Sequence, residues 1–96
     1  MKGGWVYMTS DRYRGGIHTG VTADLAARIT QHREGSGSGF VRKYGFVRLV
    51  YMEFHDGIED AIAREKAIKK WRRQWKIELI EAMNPDWDDL FEQIDA

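Results

Sequence analysis

Two short runs near the N-terminus constrain this chain more than anything after them. Trp5-Val6-Tyr7-Met8-Thr9-Ser10 and Ile17-His18-Thr19-Gly20-Val21-Thr22 are rich in aromatic and β-branched residues. Between them lie six polar, glycine-ended residues, Asp11-Arg12-Tyr13-Arg14-Gly15-Gly16. Strand-like runs around a short turn signal a β-hairpin. If Asp11 to Arg14 form the loop, Tyr7 falls directly opposite His18, with Cβ atoms roughly 5 Å apart. A phenol then stands beside an imidazole, and the following helix brings up Arg28.

Thr22 is placed to cap that helix, and Asp24 suits its first turn, where a negative charge meets the positive end of the dipole. Leu25, Ile29 and His32 form a stripe at helical spacing, with Arg28 beside it and Gly35 as the stop. Gly35 to Gly39 reads as a flexible glycine-serine stretch, and Phe40 to Gly45 as a single helical turn. Val47 to Phe54 is the expected third strand, with Leu49, Tyr51 and Glu53 on one face and Val50, Met52 and Phe54 on the other. After the turn His55-Asp56-Gly57, a second helix places Ile58, Ala61, Ile62, Glu65, Ile68 and Arg72 on one face. The pattern runs on through Trp71 and Trp75 to Met83. A straight helix from 58 to 83 would be about 39 Å long, so a break is expected near Arg72 to Gln74. Asn84-Pro85 stops the last helix, and Trp87, Leu90, Phe91 and Ile94 pack a short C-terminal helix on the body. The fold class is α/β in the α+β sense: a small three-stranded antiparallel sheet flanked by helices.

At 96 residues the chain reads as one domain, 1–96, with an acidic tail from about residue 77. It has no cysteine, which removes disulfides, zinc-thiolate sites and thiol nucleophiles and fits a cytoplasmic chain. No apolar run is long enough to span a bilayer, so no membrane partner is expected. The formal net charge of zero hides an asymmetry. Residues 1–76 hold fifteen Lys and Arg against eight Asp and Glu, a balance of plus seven, while residues 77–96 hold seven acids and no base. A basic body suits a polyanionic partner.

Glu65 interrupts an apolar stripe. A buried carboxylate must be paired, protonated or bound to a cation, so an ion pair with Arg28 or Arg72 and a metal site are the alternatives. Arg28, near the inner stripe of its helix, can meet a carboxylate or a phosphate through two parallel hydrogen bonds. Tyr7 and His18 compete as general base; the imidazole is better matched to neutral pH. His32 either caps the helix end toward solvent or joins the site. Arg42 and Lys43, with Lys69, Lys70, Arg72 and Arg73, are weaker candidates for contacts with a nucleic acid backbone. Trp71 and Trp75, four apart on a helix, read as core rather than as stacking platforms.

Taken in order, Gly4-Trp5-Val6-Tyr7, His18-Thr19-Gly20, Arg28, Lys43-Tyr44, Arg48-Leu49-Val50-Tyr51, Ala63-Arg64-Glu65-Lys66, Lys69-Lys70-Trp71 and Met83-Asn84-Pro85 resemble a GIY-YIG nuclease domain of the small single-domain bacterial kind (UPF0213-like). Trp5 stands where the first motif has glycine, and His18 where the second has tyrosine. The resemblance implies a metal-dependent endonuclease acting on DNA, structured or single-stranded, as a monomer. It implies that Glu65 holds Mg²⁺ or Mn²⁺, Arg28 stabilises the scissile phosphate, Tyr7 acts as base with His18 as partner or replacement, and His32 makes a further contact. The alternatives are a catalytically silent nucleic-acid-binding module and a protein–protein adaptor that uses the acidic tail and Trp87.

Overall fold

The computed structural model describes residues 3–34 and 45–94. The expectations for Gly35 to Tyr44, including Arg42 and Lys43, lie outside the described residues. Three strands, β1 (Gly4–Ser10), β2 (Ile17–Thr22) and β3 (Arg48–His55), form one antiparallel sheet in the order β2-β1-β3. Around it lie α1 (Leu25–Glu34), α2 (Ile58–Lys69), α3 (Arg73–Met83) and a 3₁₀ turn, Phe91–Gln93.

The hairpin forms, but with six loop residues rather than four: Ser10 pairs with Ile17. Asp11 explains the longer loop. Its Oδ1 accepts from the Gly16 amide at 2.8 Å, while the Gly15 amide donates to the Arg12 carbonyl at 3.0 Å. Tyr7 therefore faces Gly20, and His18 faces Thr9. The slip is two residues, so His18 stays on the face of Tyr7. It sits diagonally, with ring centroids 6.3 Å apart.

The central strand is buried on both sides. Val6 and Met8 pack with Val50, Tyr51, Ala61 of α2, Ile68 of α2, Ile80 of α3 and Trp87. Tyr7 packs on the other face with Leu49, Leu90 and two residues of α1, Leu25 and Ile29. The approach of α2 to β1 is close, since a Cβ at Gly4 would meet that of Ala61 at 3.1 Å. The strict alternation expected for β3 fails at one point. Met8 pairs with Tyr51 but Thr9 pairs with Leu49, which leaves Val50 as the extra residue of a β-bulge. Leu49 thereby joins the Tyr7 face, while Val50 and Tyr51 share the other. Asn84 occupies the bulge: its side-chain amide donates to the Val50 carbonyl at 3.0 Å.

Asp24, not Thr22, caps α1, accepting from the Ala27 amide at 3.1 Å, and Thr22 Oγ1 accepts from the Asp24 amide. The break in the long helical pattern falls at Lys70 to Arg72, two residues before the expected place, and α3 ends just before Asn84-Pro85. Beyond α3 the chain is pinned to β3. The Leu90 amide donates to the Leu49 carbonyl at 2.8 Å, and Arg48 Nη1 donates to the Trp87 carbonyl at 3.2 Å. A 3₁₀ turn replaces the expected C-terminal helix. Trp87 is fully buried, and its indole N–H donates to Glu81 at 2.7 Å. It is thus unavailable as the contact residue of an adaptor.

Candidate active site

The site forms where two helices meet around the outer edge of β2. A groove there is lined by Val21, Thr22, Ala27 and Arg28 on one wall and Ile58 and Ile62 on the other. Gly20 is the reason a residue from the central strand can reach this edge. The Tyr7 ring lies over Gly20, where a Cβ would come within 2.9 Å of Oη, Cζ and Cε1. Any side chain at that position would push the phenol back.

Tyr7, His18 and His32 form a triangle of rings. Tyr7 and His32 are 5.8 Å apart between centroids, and His18 and His32 are 5.9 Å apart. Tyr7 is 1% exposed. Burial raises its phenol above the ordinary value of 10.0, against the opposing pull of the Arg28 guanidinium beside it. His18 is half-buried. Burial, with further pressure from His32 and Lys69, pushes its imidazole down to about 4, although the Glu65 carboxylate works the other way. His32 is also held below the ordinary histidine value, first by burial and then by Arg28. Both imidazoles are therefore neutral at neutral pH. His32 is 3% exposed and its Nδ1 has no hydrogen-bond partner among the described residues, which overturns the solvent-facing helix cap.

Arg28 is exposed on α1, with its guanidinium reaching back to the Tyr7 phenol. Glu65 is 8% exposed, the buried carboxylate that the apolar stripe of α2 requires. Its ion-pair partner is neither Arg28 nor Arg72 but Lys69, one turn along the same helix, with Nζ 2.7 Å from Oε2. Lys69 is itself well exposed, so this is a pair at the mouth of the site rather than a sealed one. Glu65 influences the ionisation of both Tyr7 and His18, which puts all four groups in one electrostatic unit.

Of the weaker candidates, Arg72 lies over the Trp75 ring at 4.7 Å and Arg73 Nη2 donates to the Arg14 and Gly15 carbonyls. Arg73 thus ties α3 to the hairpin loop, while Lys70 is exposed. Trp75 is also exposed, contrary to the expectation that both tryptophans belong to the core; only Trp71 packs against it. A second polar cluster sits apart from the site. Glu53 accepts from Tyr51, from Arg64 at 2.9 Å and pairs with His55 at 2.6 Å.

No group of three or more His, Cys, Asp or Glu that could hold a metal ion occurs among the described residues. The donor set suits another kind of cation. A single hard carboxylate, Glu65, is a donor of the type that suits Mg²⁺ or Mn²⁺, which keep several waters and complete their shell with substrate phosphate oxygens. No helix among the described residues is long and apolar enough to cross a membrane.

Residues 3–78, which include the tyrosine over its glycine, the arginine of α1 and the glutamate of α2, match the family model described as the GIY-YIG catalytic domain. The chain belongs to the GIY-YIG family. Membership points to nuclease-type chemistry on nucleic acid. Among curated proteins, it is 42% identical to the UPF0213 protein CPE1444 of Clostridium perfringens over 67% of this chain and 69% of that one. It is 36% identical to a UPF0213 protein of Staphylococcus aureus, over 69% of this chain and 80% of the relative. The solution NMR structure of the UPF0213 protein BH0048 from Bacillus halodurans superposes with a TM-score of 0.57 at 26% identity, covering 98% of this chain and 99% of that one.

Proposed function

We propose that this protein hydrolyses phosphodiester bonds in DNA with a divalent cation, Mg²⁺ or Mn²⁺, held at Glu65. The observation that carries the proposal is the convergence of Tyr7, His18, Arg28 and Glu65 at the β2 edge. When bound, the cation supplies Lewis acidity at the phosphate and to the leaving oxygen. Arg28, exposed on α1, pairs with the non-bridging oxygens as their charge grows. With Glu65 holding a cation, Lys69, now paired with Glu65, would be free to meet the phosphate.

His18 takes the proton of the attacking water. It is the more accessible of the two bases and is neutral at working pH, whereas Tyr7 is buried and holds its proton more tightly than a free phenol. Tyr7 serves instead to orient its neighbours: its phenol oxygen accepts from the Arg28 guanidinium and its O–H donates to the water. His32 supports both rings from behind.

Cleavage of duplex, flap, junction and single-stranded DNA with Mg²⁺, Mn²⁺ or chelator tests the proposal. Cation-dependent products from the parent, absent for Glu65→Gln, are expected. A silent binding module is the second reading, favoured by the imidazole at a tyrosine motif position. Salt-sensitive DNA binding with no cleavage under any of these conditions selects it.

A further inference from the structure

Trp75 is 47% exposed, an unusual position for the largest side chain in a chain of this size. It stands edge-to-face against Trp71, with ring centroids 6.1 Å apart. The pair heads a groove of about 450 Å³ running down α3 past Glu78, Leu79 and Ala82. Cations surround the pair. Arg64 lies over Trp71 at 5.2 Å and Arg72 over Trp75 at 4.7 Å. Lys70 projects from the corner between α2 and α3. Lys76 Nζ donates to the Lys69 carbonyl at 3.5 Å, and Lys69 is the residue that pairs with Glu65. The aromatic corner is therefore continuous, through the α2 C-terminus, with the candidate active site.

We infer that the Trp71–Trp75 corner is a stacking platform for an unpaired stretch of the nucleic acid strand that the active site cleaves; this rests on the nuclease reading above. Every base has an aromatic face, so a platform of this kind accepts single strands without regard to sequence. The incoming base takes the place of the Arg72 guanidinium on Trp75, and Arg72 turns to the adjoining phosphate. Lys70 and Lys76 neutralise the phosphates on either side. A duplex, whose bases are already stacked, gains nothing from Trp75. A protein partner would meet Arg72, Lys70 and Lys76 around a small apolar patch with Glu78 at its side, a poorer match than a polyanion whose bases stack on Trp75.

The test is binding of an oligothymidylate strand and of a blunt duplex of the same length to the full chain at low ionic strength. The parent, Trp75→Ala and Trp75→Phe are compared. Trp75→Ala is expected to weaken the strand on the order of tenfold and to leave the duplex unchanged, with Trp75→Phe restoring most of the loss. Equal strand affinity in parent and Trp75→Ala overturns the platform and leaves the nuclease reading intact. Absence of binding to either nucleic acid overturns both. A parent that self-associates, with the association lost in Trp75→Ala and strand affinity unchanged, assigns the face to a second copy and likewise overturns the platform.

Discussion

Glu65 is a carboxylate kept 8% exposed on an otherwise apolar stripe, and its ion-pair partner is a lysine with most of its side chain in water. That combination fits poorly with a purely structural role. Removing one partner of a sealed pair costs about 3–5 kcal/mol because it strands a buried charge, whereas Lys69, left without Glu65, would stand in water. Glu65→Gln is therefore expected to melt within about 1 kcal/mol of the parent in chelator. Mg²⁺ should raise the parent's melting temperature and leave the variant's unchanged, because the shift depends on binding to the folded state. A large loss of stability in chelator would restore the structural reading. His18 gives a second prediction. Its imidazole titrates at about 4 in the folded protein and near 6.5 unfolded. The unfolded chain thus takes up a proton that the folded one excludes. The contribution of His18 to stability is complete above pH 6.5 and is lost as pH falls from 6.5 toward 4. His32, shifted the same way, adds to the slope. Denaturant melts in chelator should show this acid limb, shallower in His18→Phe. The rate of DNA cleavage should carry its acid inflection below the ordinary histidine range and lose it in the same variant.

The three elements that carry the site depend on features that differ in how far they can be read. Helical periods make α1 and the stripe of α2 legible, because one face of each is buried, whereas β3 is legible only as an apolar, β-branched run, since both of its faces carry buried residues. Leu25, Ile29 and His32 are all buried, as their spacing implies. The hairpin register was not legible, because Asp11 adds two residues to the loop by holding the Gly16 amide, a side-chain contact that no periodicity encodes. The bulge at Val50 escaped for the same reason: it is held by Asn84, 34 residues along the chain. Nor could spacing separate Trp71 from Trp75, since only the turn at Lys70 to Arg72 decides which of them faces the core. Of the site, Tyr7, Arg28 and Glu65 were placed by resemblance to a family; their convergence depends on Gly20, which lets the phenol cross β2. Gly20→Ala puts a methyl group within 2.9 Å of the Tyr7 ring atoms. Overpacking of this kind costs about 1–3 kcal/mol. The variant should melt lower and lose cleavage out of proportion to the fraction unfolded, as read by activity well below its melting point.

Across the whole molecule, the acidic C-terminal stretch is part of the fold rather than a free tail. Arg14 pairs with Glu81 and Arg33 with Asp89, Trp87 fills the core below α3, and Leu90 extends the hydrogen bonding of β3. Two of the seven tail acids thus neutralise cations of the basic body, and the field left to meet a polyanion is smaller than the plus-seven balance suggests. Trp87 holds this arrangement with an indole that is 0% exposed and a backbone φ of 57°, uncommon for a bulky residue. Trp87→Ala should cost about 3–5 kcal/mol, a large share of the stability of any small protein, and thermal melts will show it. The central claim is that Arg28 and Glu65 serve one phosphate from two helices. Single-turnover cleavage of DNA by the parent, Arg28→Ala and Glu65→Gln, each with Mg²⁺, Mn²⁺ and chelator, tests it most directly. The account predicts cation-dependent cleavage by the parent, a loss of roughly 10²–10³-fold in Arg28→Ala and none detectable in Glu65→Gln, with all three proteins folded. Cleavage that persists in chelator, or at the parental rate in either variant, would contradict it.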